Sequence, residues 1–273
     1  MFVQIAGKIR LALAPPEPQW AHVALYVTSR GLTTSPIPYR DVTFQVDFDF
    51  VVHALKVSVS DGRARSFPLL PPRSVKAFYL ELTGCLRELE LDVQISDMPQ
   101  EVSRPIAFSE DTTHAAYDPE QVNRFWHTLV QADTAFKFHR APFSGRHTPV
   151  QFFWGSFDLA YVRYSGRPAQ PPSKANLIVR KSMDAEEISA GYWPGDERLA
   201  EPAYFCYAHP APPRIESAEL APSQAYWDGG MGLFLLRYAD VRESASPRDS
   251  VLQFLRSTYE ACATLGGWEA ARQ

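Results

Sequence analysis

The stretch FQVDFDFVVHALKVSV, residues 44–59, decides the fold class. Phe44, Val46, Phe48 and Phe50 fall on even positions, and Leu55, Val57 and Val59 on odd ones. Strict alternation of this kind puts one face of a strand on a core and the other in water. A four-residue turn over 51–54 would join the two strands and pair Phe50 with Leu55, Phe48 with Val57 and Asp49 with Lys56. That register collects the apolar side chains on one face and matches opposite charges on the other. Asp47 and Asp49 have the spacing of an acid/base carboxylate pair, but alternation alone explains them as a solvated sheet face.

Outward from this hairpin, helical periodicity appears on both sides. Phe2, Ile5, Ile9 and Leu13 are spaced for a helix that Pro15-Pro16 ends, and HVALYVT (22–28) reads as a strand. The turn-rich SRGLTTSPIPYRD follows. Val75, Phe78, Leu82, Cys85, Leu86 and Leu89 form the stripe of a helix over 74–89. Asp118-Pro119-Glu120-Gln121 carries the N-cap, first-turn proline and third-position Gln of a helix start, with a stripe through Val122, Phe125, Trp126, Leu129, Ala132 and Phe136. Ser246-Pro247 opens another helix, with Val251, Leu255, Thr258, Cys262 and Leu265 inward and Gly266-Gly267 at its end. Strands are expected near 149–164, 187–193, 203–208 and 232–238. The class is therefore α+β, with mostly antiparallel sheets and packed helices. A faint repeat of element order suggests two halves, 1–112 and 113–273, forming one pseudo-repeated unit rather than independent domains.

Composition narrows the function classes. The chain has 273 residues, 45% hydrophobic and 21% charged, which is ordinary for a globular protein. Its net charge is −4, and the 21 arginines and 6 lysines are scattered rather than gathered into a stripe. A nucleic-acid partner is therefore not expected, because phosphate neutralisation needs clustered cations. Three cysteines without a C-x-x-C pair argue against a disulfide framework, and no 18-residue apolar run reads as a membrane span. A cytosolic location is expected.

The candidate site residues come from several stretches. In HTPVQFFWGSFDLAYVRYSGR, 147–167, six aromatics fall within thirteen positions, with Gly155, Ser156 and Asp158 among them. An acid in an apolar setting needs a partner or holds its proton, and Arg163 is the nearest partner in sequence. Asp158 is thus a catalytic candidate or half of a structural lock, and Trp154, Ser156 and Arg163 are ligand-binding candidates or parts of a buried, bent strand. His114 is the second catalytic candidate, flanked by Asp111 and Asp118, although loop capping explains those carboxylates as well. Arg30 and Thr33 could hold an anionic group or merely stiffen a strand connection. Trp193 and Tyr207 add aromatic surface with polar tips. The seven histidines show no H-x-H or H-E-x-x-H spacing, so no metal is expected. No glycine-rich strand-to-helix turn, Walker motif or G-x-S-x-G elbow is present, so no nucleotide cofactor or serine nucleophile is expected either. The leading expectation is a metabolic enzyme that binds a small organic ligand in an aromatic-lined pocket between the halves and uses acid/base chemistry. The alternative is a non-catalytic interaction protein, a homodimer or scaffold joined through exposed aromatics.

GKIRLALAPP, RGLTTSPIPY, FQVDFDF, HAAYDP and FFWGSFDLA together resemble the bacterial family of domain of unknown function 5996, over residues 4 to about 268. The resemblance implies a single folding unit and no particular activity. It also implies more helix upstream in relatives, so this chain's start is expected to be truncated or re-annotated. Relatives tend to carry His where Gln151 stands and another near Ala185; both departures weaken a metal or acid/base role resting on those positions.

Overall fold

The computed structural model describes residues 1–268. It contains two antiparallel sheets and divides into two compact units. The first comprises residues 1–17, 21–130 and 152–156, and the second the rest of the described chain.

In the first unit, α1 (Phe2–Leu13) precedes β1 (Tyr26–Val27), β2 (Gly31–Thr33), β3 (Ile37–Tyr39), β4 (Val42–Asp49), β5 (Ala54–Val59), β6 (Ala64–Pro68) and α2 (Val75–Glu88). The sheet order is β1-β2-β4-β5-β6, with β3 paired to the start of β4. Alternation places Phe44, Val46, Phe48, Leu55, Val57 and Val59 inside, all buried. They pack against α2 through Phe78, whose ring lies 4.2 Å from that of Phe2 and 6.1 Å from that of Phe48. Ser74 caps α2 by accepting from the Ala77 N–H. The helix that follows, α3 (Pro119–Arg140), begins as expected: Asp118 accepts from the N–H groups of Glu120 and Gln121.

The hairpin register differs from the expected one by two residues. Phe48 faces Leu55, Val46 faces Val57, and Asp47 rather than Asp49 faces Lys56. The turn consumes Phe50 to His53, with Asp49 accepting from the N–H groups of Val51 and Val52 and His53 at φ +51°. A two-residue slip leaves every side chain on its own face, so alternation could not detect it. Asp49 instead pairs with Arg30 at 2.6 Å. Gly31 runs so close to β4 that a Cβ there would lie 1.8 Å from the Phe48 carbonyl oxygen.

The expected strand at 149–164 is two strands. β7 (Gln151–Phe153) is short, and the backbone of its Phe152 exchanges hydrogen bonds with Leu25 at 2.9 and 2.8 Å. The chain then bends through Phe157, at φ +62°, into β8 (Asp158–Pro168).

The second unit adds α4 (Leu177–Ser182), β9 (Ala185–Trp193), β10 (Ala203–His209), β11 (Tyr226–Asp228), β12 (Leu233–Arg237), α5 (Tyr238–Glu243) and α6 (Pro247–Leu265). Its strands follow the order β11-β12-β10-β9-β8, antiparallel throughout. The second part of α3, from Gln131 on, belongs to this unit, as does α6. Among the described residues, no helix is long and apolar enough to cross a membrane.

Candidate functional site

Five of the residues singled out by sequence lie in the first unit: Arg30, Thr33, His114, Trp154 and Ser156. Trp154 is core. Its indole N–H donates to the Val23 carbonyl at 2.9 Å, and its ring fills the space that a side chain at Gly7 would need. Ser156 is exposed at the bend. The loop of Arg30 and Thr33 satisfies itself: Thr28 Oγ1 accepts from the N–H groups of Arg30 and Gly31, and Thr33 Oγ1 from that of Ser35. His114 Nδ1 does meet a carboxylate, Asp111 Oδ2, at 2.8 Å. Asp111 is fully buried and also accepts from the backbone N–H groups of Thr113 and His114. Burial alone would raise its carboxyl, but these bonds hold it below the usual range. The carbonyls of His114 and Asp111 accept from Val75 and Lys76 at the start of α2, so this loop serves as a helix cap.

The other four, Asp158, Arg163, Trp193 and Tyr207, lie in the second unit. There the ladder sorts side chains onto two faces. Tyr161 and Arg163 of β8, Ile188, Ala190 and Tyr192 of β9, and Tyr204 and Cys206 of β10 share one face. The second part of α3 and α6 cover it, with the Phe136 ring 5.4 Å from Tyr161 and 6.1 Å from Tyr204. Arg163 belongs here. Its guanidinium donates to the His139 carbonyl at the end of α3 and lies 5.0 Å from the Phe143 ring and 4.2 Å from the Tyr259 ring. A cation at a helix C-terminus, sandwiched between aromatics, is well placed without any ligand. The expected Asp158–Arg163 lock is therefore absent: five residues apart on one strand, the two side chains leave opposite faces. His139 also sits here, with Tyr161 Oη 2.6 Å from its Nδ1. Burial, aided by Arg163 and Arg256, brings the imidazole down to about 3, so it is neutral and structural.

The opposite face holds the unusual chemistry. Asp158, Val162 and Tyr164 of β8, Glu187, Ser189, Gly191 and Trp193 of β9, and Phe205, Tyr207 and His209 of β10 alternate onto it. Tyr164 stands directly opposite Glu187, and Ser189 opposite Tyr207. Gly191 makes room: a Cβ there would lie 2.5 Å from Cζ of Phe205, whose ring covers the glycine. Glu187 is only 3% exposed, yet among the described residues its carboxyl makes no hydrogen bond and no ion pair. Tyr164, 2% exposed, has a buried hydroxyl without a hydrogen-bond partner among the described residues. Buried polar groups are nearly always paired, so the Tyr164 hydroxyl opposite the buried Glu187 singles out this face as the candidate site.

Burial, reinforced by the charge of Asp184, pushes the Glu187 carboxyl up to about 8. The Tyr207 phenol is raised by burial and then by Glu187, with a hydrogen bond to Ser189 opposing and the charge of Asp158 adding. The Tyr164 phenol is likewise raised, first by burial and then by Glu187. Arg146 lies over the Tyr164 ring at 4.4 Å and donates to Gln19 Oε1 at 2.9 Å.

The model of DUF5996, a family of unknown function, matches residues 1–273. The chain belongs to that family. No curated protein and no solved structure matches it. In this DUF5996 member, Asp158, Trp193 and Tyr207 come together on one sheet face, while Arg163 is on the other. Sequence reasoning missed Glu187, Ser189 and Tyr164. In EISAGYW the polar residues fall at period 2, which reads as a solvated strand face; only the tertiary structure shows that this face is buried.

Proposed function

We propose that the Glu187 face of the second unit binds a small organic ligand and, where the ligand is transformed, that Glu187 transfers the proton. The observation that carries this reading is the buried Tyr164 hydroxyl, without a hydrogen-bond partner among the described residues, directly opposite the buried Glu187 carboxyl. A carboxyl that titrates near 8 holds its proton at neutral pH and gives it up readily, the property required of a general acid or base. Tyr207, held by Ser189, offers a second hydroxyl on the same face, and Trp193 and Phe205 offer apolar surface. This combination of apolar walls with a few convergent polar groups suits a small metabolite.

Native mass spectrometry of protein purified from its own host, against its denatured mass, tests the reading. Wild type should retain a small organic mass that Glu187→Gln and Tyr164→Phe lose. A mass retained equally by all three proteins would place the ligand elsewhere.

A further inference from the structure

The charges around Glu187 are one-sided. Asp184 acts on its carboxyl from just before β9. The nearby basic side chains are bonded elsewhere. Arg146 is stacked on the Tyr164 ring and bonded to Gln19, whose amide in turn donates to Asp184 at 2.7 Å. His209, directly opposite Glu187 on β10, has its Nε2 3.1 Å from the Gln170 carbonyl oxygen. Thus a buried carboxyl, a buried unpartnered hydroxyl and two aromatic rings, Tyr207 and Phe205, occur together with no cation among the described residues bonded to the carboxyl.

We propose that the ligand of this face is an organic ammonium, a primary or secondary amine whose charged nitrogen donates to the Glu187 carboxylate and the Tyr164 hydroxyl while its hydrocarbon part lies along Tyr207 and Phe205. This inference rests on the ligand-binding reading above. An ammonium supplies the missing countercharge, so it favours the ionised form of a carboxyl that otherwise resists ionisation. The ring faces add cation–π attraction. An anion would meet the charge of Asp184 beside the carboxyl, and a neutral amide would do nothing to favour the ionised form of Glu187. Binding is therefore coupled to release of the Glu187 proton. Below the carboxyl's midpoint, affinity follows the ionised fraction and rises about tenfold per pH unit while the amine stays charged.

The test uses the full chain with 13C-labelled glutamate carboxyls, titrated by NMR with four probes: methylamine, benzylamine, benzamide and benzoate. Methylamine is small enough that shape cannot account for a failure. The expected result is that one or both amines lower the midpoint of the Glu187 resonance and bind about tenfold more tightly at pH 7.5 than at pH 6.5. Glu187→Gln should abolish that pH dependence, and Tyr164→Phe should weaken amine binding in a chain that still folds. If benzamide or benzoate perturbs Glu187 more than either amine does, the ammonium assignment fails while the ligand site stands. If no probe perturbs Glu187, or all bind equally well to Glu187→Gln, both the assignment and the site reading fail.

Discussion

Replacing Glu187 with glutamine keeps its shape and removes its titration, so the pH dependence of stability isolates this one group. The ordinary carboxyl value is 4.5, and in the fold burial and Asp184 bring it to about 8. The folded chain therefore holds a proton that the unfolded chain has lost. Below about 4.5 both states are protonated and Glu187 costs nothing. As pH rises from there to about 8, wild-type stability falls by about 1.4 kcal/mol per pH unit, and above 8 the loss levels off near 5 kcal/mol. Between pH 5 and pH 8 the gap between variant and wild type should widen in the variant's favour by about 3 to 4 kcal/mol. Equilibrium urea unfolding of both proteins at half-unit pH intervals measures that gap, and titrations shared by both chains cancel in the difference. A gap constant across pH 5–8 would refute the reasoning, because it would mean that the carboxyl is solvated or already paired.

Tyr164→Phe removes a buried hydroxyl that has no hydrogen-bond partner among the described residues. It should leave stability unchanged or raise it by about 1 kcal/mol, while weakening retention of the native ligand; thermal melts alongside native mass spectrometry check both. Arg163→Met keeps the side-chain stem but loses the bond to the His139 carbonyl and the sandwich between Phe143 and Tyr259. It should cost about 2 to 3 kcal/mol in urea unfolding without changing ligand retention, since Arg163 leaves the opposite face of the sheet. Gly191→Ala should destabilise by about 1 to 3 kcal/mol, because its Cβ would meet both the Phe205 ring and the Leu159 carbonyl oxygen.

The sequence showed local order better than long-range placement. Alternation over 44–59 marks the faces of β4 and β5, because Phe48 and Leu55 need the same core, but a two-residue slip is silent to that pattern and was decided by how Asp49 folds the turn. Asp118 could be recognised as a cap because capping is a matter of residues two or three apart. Trp154 could not be told from a pocket wall, since the glycine that receives it, Gly7, lies far away in sequence. The pairing of Arg163 with Asp158 fails on arithmetic that the strand itself supplies, because the two have opposite parity. Glu187 lay beyond sequence reasoning for a different cause. A polar residue at period 2 looks the same whether its face meets water or is buried, and its value as a site comes from burial.

The most direct measurement is a crystal structure of the protein as isolated from its own host, refined at a resolution that shows ordered water. The account predicts organic density within hydrogen-bond distance of both the Glu187 carboxyl and the Tyr164 hydroxyl, lying along Tyr207 and Phe205. A single water joining the two groups, with the rest of the face closed over it, would contradict the account and make Glu187 a structural residue.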